Sequence, residues 1–114
     1  MFPQEHQDKF AKLRAHFLSG LHAREAELED LSASLLTKSH CRKSLEELYI
    51  ASHKLAGICA TYGFVTAGEQ AARTEALIER SKSTKPSEDQ IYEILLETEL
   101  LTDELRRIVG SDVG

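Results

Sequence analysis

Proline is nearly missing from this 114-residue chain, occurring only at Pro3 and Pro86, so almost everything between them is free to be helical. Cysteine is as scarce. Cys41 and Cys59 form no CxxC pair, which leaves neither a disulfide framework nor a zinc ribbon and fits a reducing cytoplasm. Basic charge falls short of acidic charge, 14 Lys and Arg against 19 Asp and Glu, and the net charge of -5 argues against a domain that grips nucleic-acid backbone. The N-terminus lacks the basic start and apolar stretch of a signal peptide, and no run approaches the roughly 18 apolar residues of a membrane span. The expectation is a cytoplasmic chain with no membrane segment. Period-two stretches rich in β-branched residues, internal repeats and low-complexity tracts are missing as well.

A composition of 41% hydrophobic and 29% charged residues is that of a globular domain, and the length suits one core spanning residues 1–114. At this size roughly two thirds of the unfolded chain's surface leaves water on folding, so no staple is needed.

Apolar residues recur at helical steps. Phe10, Leu13, Phe17 and Leu21, then Leu28, Leu31 and Leu35, describe two helices over about 4 to 19 and 22 to 36, bent or broken at Ser19-Gly20. Polar Thr37 to Lys43 reads as a loop, and Ser44 with Glu47 forms a capping box for a helix running to about Tyr62. Gly63 stops it, and Ala67, Ala71, Ala72, Leu77 and Ile78 carry the next helix to about Lys82. After a turn at Ser83 to Pro86, Ser87 caps a last helix with Asp89 or Gln90 in its first turn. Its apolar stripe is Ile91, Ile94, Leu95, Thr98, Leu101, Leu105 and Ile108. The expected fold is all-α: an antiparallel up-down four-helix bundle with an additional short N-terminal helix. The acidic runs at Glu25 to Asp30 and Glu97 to Glu104 read as solvated outer faces.

The helix over 45 to 62 is unlike scaffolding. At about 100° per residue, Leu48, Ala51, Leu55, Ile58, Cys59 and Tyr62 fall opposite His53, so they face the core and His53 faces out. Around His53 lie Tyr49, Ile50, Ala56, Gly57 and Ala60, with Lys54 and Thr61 on one flank. A mid-helix glycine costs about 1 kcal/mol relative to alanine. On an outward face, the use of Gly57 is to let another molecule approach the imidazole without meeting a Cβ. Tyr49 and Ile50 add apolar area that a partner could cover.

Ser52-His53-Lys54-Leu55-Ala56-Gly57, then Ala60-Thr61-Tyr62-Gly63-Phe64, and further on Glu75, closely resemble the signature of histidine-containing phosphotransfer (HPt) domains. The resemblance implies a helical bundle whose exposed histidine takes a phosphoryl group from one receiver-domain aspartate and passes it to another. It makes His53 the acceptor through Nε2, Gly57 the residue that clears the approach, and Glu75 the acid that holds the other ring nitrogen and fixes the tautomer. Where many members carry lysine three residues after the histidine, this chain has Ala56, and Lys54 is the expected substitute in contacting the phosphoryl group or the partner. The implied partners are a response-regulator receiver domain and a hybrid histidine kinase. No cofactor is expected, Mg²⁺ belonging to the receiver's acidic pocket.

No GxxxxGK[ST], GxGxxG or kinase motif set is present, so the chain is expected to be a phosphocarrier without ATP binding or autokinase activity, not an enzyme in its own right. His6, His16, His22 and His40 have no metal-site spacing, and His40-Cys41 is isolated. The alternative is a non-catalytic helical module that docks a receiver or kinase without transferring phosphate, against which the retained nucleophile argues. A third reading, a phosphoacceptor domain cut from a longer kinase, shares the chemistry; Met1 and the short ends favour a stand-alone protein. A shuttle whose histidine face must stay free, on an otherwise polar surface, is expected to be a monomer with modest, transient docking contacts.

Overall fold

The computed structural model describes the backbone of residues 4–37, 41–82 and 85–113. These residues form four α-helices and no strand: α1 (Gln4–Leu35), α2 (Cys41–Thr61), α3 (Val65–Ser81) and α4 (Glu88–Val113). Each helix packs on its two neighbours in the order α1, α2, α3, α4 and back to α1, which closes a four-helix bundle. Its centre is filled by Leu21 and Leu28 of α1, Leu48 and Leu55 of α2, Ile78 of α3, and Ile94, Leu101 and Leu105 of α4, all fully buried. The period-3.6 stripes of the sequence therefore meet along one axis.

The N-terminal segment departs from expectation. No short helix precedes the bundle, because α1 runs unbroken through Ser19-Gly20. The Ser19 hydroxyl donates back to the His16 carbonyl at 2.8 Å, and Gly20 costs about 1 kcal/mol against alanine. Phe17 and Leu21 on either side are buried, and each contributes roughly 2 kcal/mol of transfer energy that only a continuous stripe can collect. A helix of 32 residues is about 48 Å long, close to the 53 Å long axis of the molecule, whereas the 21 residues of α2 span about 32 Å. Near its start α1 lies beside the α2–α3 turn, where the Phe10 ring is tilted against Tyr62 with centroids at 6.3 Å, and Phe10 and Leu13 stay more than half exposed although they share the stripe of Phe17.

The capping box expected at Ser44 and Glu47 is not formed. Helix α2 begins at Cys41, and Ser44 lies inside it, buried one turn before Leu48 on the core-facing stripe. Residues 38–40 of the expected loop, His40 among them, lie outside the described residues, as do Ser83 and Thr84 of the later turn. The other two boundaries match the sequence reading. Gly63 takes φ of +81°, the Phe64 N–H donates to the Cys59 carbonyl at 2.8 Å and the Gly63 N–H to the Ala60 carbonyl at 3.2 Å, a Schellman turn that reverses the chain into α3. At α4, the Gln90 N–H donates to the Ser87 hydroxyl and the Ser87 N–H to the Gln90 side-chain carbonyl, a reciprocal capping box.

The acidic runs are not simply solvated. Glu25 is buried and accepts from Arg106 Nε, while the same guanidinium reaches Glu29 and Asp103, tying α1 to α4. Half-buried Glu97 takes the Gln70 side-chain amide, and Arg107 beside Glu104 holds that carboxyl below the usual range. Nor is the surface uniformly polar, since Leu36, Val65, Tyr92, Leu96 and Leu100 are exposed.

Candidate functional site

The outward face of α2 is arranged as its periodicity requires. Leu48, Ala51, Leu55 and Cys59 are buried and Ile58 and Tyr62 half-buried, while the His53 side chain on the other side is 69% exposed. Its Nδ1 lies 2.9 Å from Oε1 of Glu75 on α3, a side chain only 23% exposed. A carboxylate only accepts, so this contact sets the proton of a neutral ring on Nδ1 and leaves the lone pair on Nε2. No described residue hydrogen-bonds Nε2.

Gly57, one turn after His53, faces open space: a Cβ built there meets nothing within 4 Å. Internal packing therefore does not require this glycine. Across the α2/α3 interface it is Gly68 that meets a neighbouring helix, its Cβ position 3.5 Å from the Ala56 carbonyl and 3.6 Å from both the Ala60 nitrogen and the Cys59 Cβ, ordinary contact distances that leave room for a methyl but not for a larger side chain. The same helix pairing brings Glu75 to the ring. Gly68 carries no motif of its own in the sequence, where only the run of small residues around it hints at close helix packing.

The remaining residues singled out in the sequence share this face but not the contact. Lys54 is exposed and forms no hydrogen bond or ion pair with a described residue. Ile50 and Ala60 are exposed, Ala56 is half-buried against α3, and the Thr61 hydroxyl donates to the Gly57 carbonyl at 2.9 Å, back along its own helix. Behind His53, the Ser52 hydroxyl is fully buried and has no partner among the described residues.

A second tier beside the histidine joins residues that the sequence reading left apart. The Tyr49 ring lies nearly parallel to the imidazole, 15° apart in plane with centroids at 6.4 Å. Lys82 Nζ stands 3.5 Å from the centre of the Tyr49 ring and 3.4 Å from Glu79 Oε2. Glu79 also hydrogen-bonds the Tyr49 phenol, and that bond, then partial desolvation and the charges of Glu79 and Glu75, push its pKa above the usual 10.0. The signal was spacing: Glu79 and Lys82 follow Glu75 by one and two turns of α3, on the flank that faces Tyr49 and His53.

Among the described residues no group of three or more His, Cys, Asp or Glu converges as a metal site would require, and no helix is long and apolar enough to cross a membrane. His40, and the side chains of His6 and Cys41, lie outside that description. Cys59 is buried against the core, and desolvation pushes its thiol up to about 11, far from a reactive thiolate. Comparison with protein-family models, curated proteins and solved structures finds no match, so the reading of this face rests on its own residues and geometry.

Proposed function

We propose that the chain is a histidine phosphotransfer protein of the HPt type, relaying a phosphoryl group between receiver-domain aspartates through His53. The observation that carries this reading is the exposed imidazole bonded at Nδ1 by Glu75, with a glycine in open space one turn away. Such a ring is a nucleophile with its reactive lone pair turned outward. The Nε2 pair attacks phosphorus, the bond from phosphorus to the donor's carboxylate oxygen breaks, and its electron pair returns to that carboxylate. The ring becomes an N-phosphorylated imidazolium whose positive charge and remaining Nδ1 proton are held by Glu75, so no proton need be lost. Return transfer runs the same steps backwards. Little covalent help is asked of the carrier, because phosphoryl transfer depends mainly on alignment and charge stabilisation.

Gly57 clears the path of the incoming group, and exposed Ile50 with Ala60 gives the receiver an apolar surface to cover. The reading takes the protein as a cytoplasmic monomer meeting a receiver domain and a hybrid kinase in turn, with Mg²⁺ brought by the receiver. The test is transfer from a panel of phosphorylated receivers to wild type and to His53→Ala, scored as acid-labile label. Label on wild type alone supports the carrier. A receiver that binds both proteins equally and labels neither replaces the carrier with a docking module.

A further inference from the structure

We propose that Lys82, from the end of α3, is the cation that attends the phosphoryl group on His53, with the Tyr49 ring as its resting place in the unphosphorylated protein. The inference rests on the phosphocarrier reading above and concerns how that site carries its charge. A phosphoryl group on Nε2 brings close to two negative charges at neutral pH. It arrives beside acids: Glu75 at the opposite ring nitrogen and Glu79 one turn further along α3. The α2 residues nearest the ring, Ala56, Gly57 and Ala60, offer no compensating charge. Left alone, such a group would be repelled by the carboxylate that makes its acceptor nucleophilic.

Two cations are in reach of the face, Lys54 from α2 and Lys82 from α3. Lys54 starts from the side of α2 about 100° round from His53 and is held by no described residue. Lys82 is already gathered in, its ammonium 3.5 Å from the centre of the Tyr49 ring and that ring 6.4 Å from the imidazole, which places the ammonium no more than about 10 Å from the histidine ring. Its present ties are an aromatic face and a half-exposed carboxylate, Glu79. Both are weak for an ammonium that is 43% exposed, and a charge-assisted bond to a phosphoryl oxygen is stronger than either. Lys82 therefore moves when the charge appears, with no rearrangement of the backbone.

The test labels the full chain at His53 with phosphoramidate, a small donor that needs no partner, and follows the phosphoryl resonance by ³¹P NMR across pH in wild type, Lys82→Ala, Lys82→Arg and Lys54→Ala. A nearby ammonium favours the doubly charged phosphoryl group. Lys82→Ala is expected to move the midpoint to higher pH and to shorten the phosphohistidine half-life roughly threefold. Lys82→Arg restores both and Lys54→Ala changes neither. A midpoint unmoved in Lys82→Ala, or moved in Lys54→Ala instead, overturns the assignment while leaving the carrier reading intact. Failure of wild-type His53 to take label from phosphoramidate and from every receiver overturns the carrier reading, and the role of Lys82 with it.

Discussion

Replacing Glu75 by alanine tests whether α3 makes the histidine a nucleophile or only stands beside it. The bond it removes is 2.9 Å long and joins a 23% exposed carboxylate to a 69% exposed ring. Hydrogen bonds to a charged group contribute about 1.5 to 3 kcal/mol when shielded, and solvent on the His53 side reduces this to about 1 kcal/mol. That energy favours the tautomer with the proton on Nδ1, so its loss should lower the ratio of the Nε2-free to the Nε2-protonated ring by about fivefold. Imidazole ¹⁵N shifts, read at a pH where the ring is neutral, measure the ratio directly. The rate of phosphoramidate labelling should fall with it, because only the Nε2-free ring attacks. Glu75→Gln keeps an acceptor without the charge and should fall between. An unchanged tautomer ratio in Glu75→Ala would refute the reasoning, even if transfer from a receiver were impaired, since that loss could then come from docking alone.

Gly57→Ala should raise stability by about 1 kcal/mol, since the added Cβ meets nothing, and yet slow transfer from a receiver more than labelling by phosphoramidate; equal slowing of both would remove the clearance role. Gly68→Val should cost about 2 kcal/mol in urea unfolding and weaken the Nδ1 bond to Glu75 by pushing α3 outward, whereas Gly68→Ala, at ordinary contact distance, should be close to neutral. Ser52→Ala should stabilise the fold by about 1 kcal/mol because it removes a buried hydroxyl with no described partner; a destabilised variant would reveal a bond the hydroxyl makes. Burial pushes the Cys59 thiol up from 9.0 to about 11, so the unfolded chain ionises first as pH rises. Stability contributed by the neutral thiol is intact below pH 9 and should be lost by about 2 kcal/mol between 9 and 11, the share of the slope that Cys59→Ala removes in pH-dependent denaturation, while the raised Tyr49 phenol keeps its own share above pH 10.

The bundle was legible because its determinants are local. Stripes such as Ile94, Thr98, Leu101, Leu105 and Ile108 repeat at the helical period, and the turns at Gly63 and Ser87 are written in residues whose conformations or side chains allow little else. At Ser19-Gly20 and Ser44 a local propensity of about 1 kcal/mol is overruled by the packing around it. Burial of Phe17 and Leu21 outweighs a glycine, and an inward position for Ser44 overrides its preference for a cap. Glu25 departs from a solvated face for a related reason: its partner, Arg106, lies at the far end of the chain, and no local pattern announces an ion pair between the first helix and the last.

The site divides along the same line. His53 and the glycine one turn on belong to one helix, and helical geometry alone sets them on one outward face. What completes the site comes from α3, whose register against α2 follows from the local reversal at Gly63 and the nonlocal contact of Gly68 with Ala56, Cys59 and Ala60. Once those are set, antiparallel packing pairs His53 with Glu75 and, one turn away on each helix, Tyr49 with Glu79, which brings Lys82 over the tyrosine. The charge tier beside the histidine is thus a consequence of helix register, and periodicity within one helix could not disclose it. Gly57 and Gly68 show how differently the same residue can be set. A Cβ at Gly57 would meet open space, the setting the proposed approach of a partner uses, whereas one at Gly68 would meet the backbone of α2 at ordinary contact distance, and only the space around each distinguishes them.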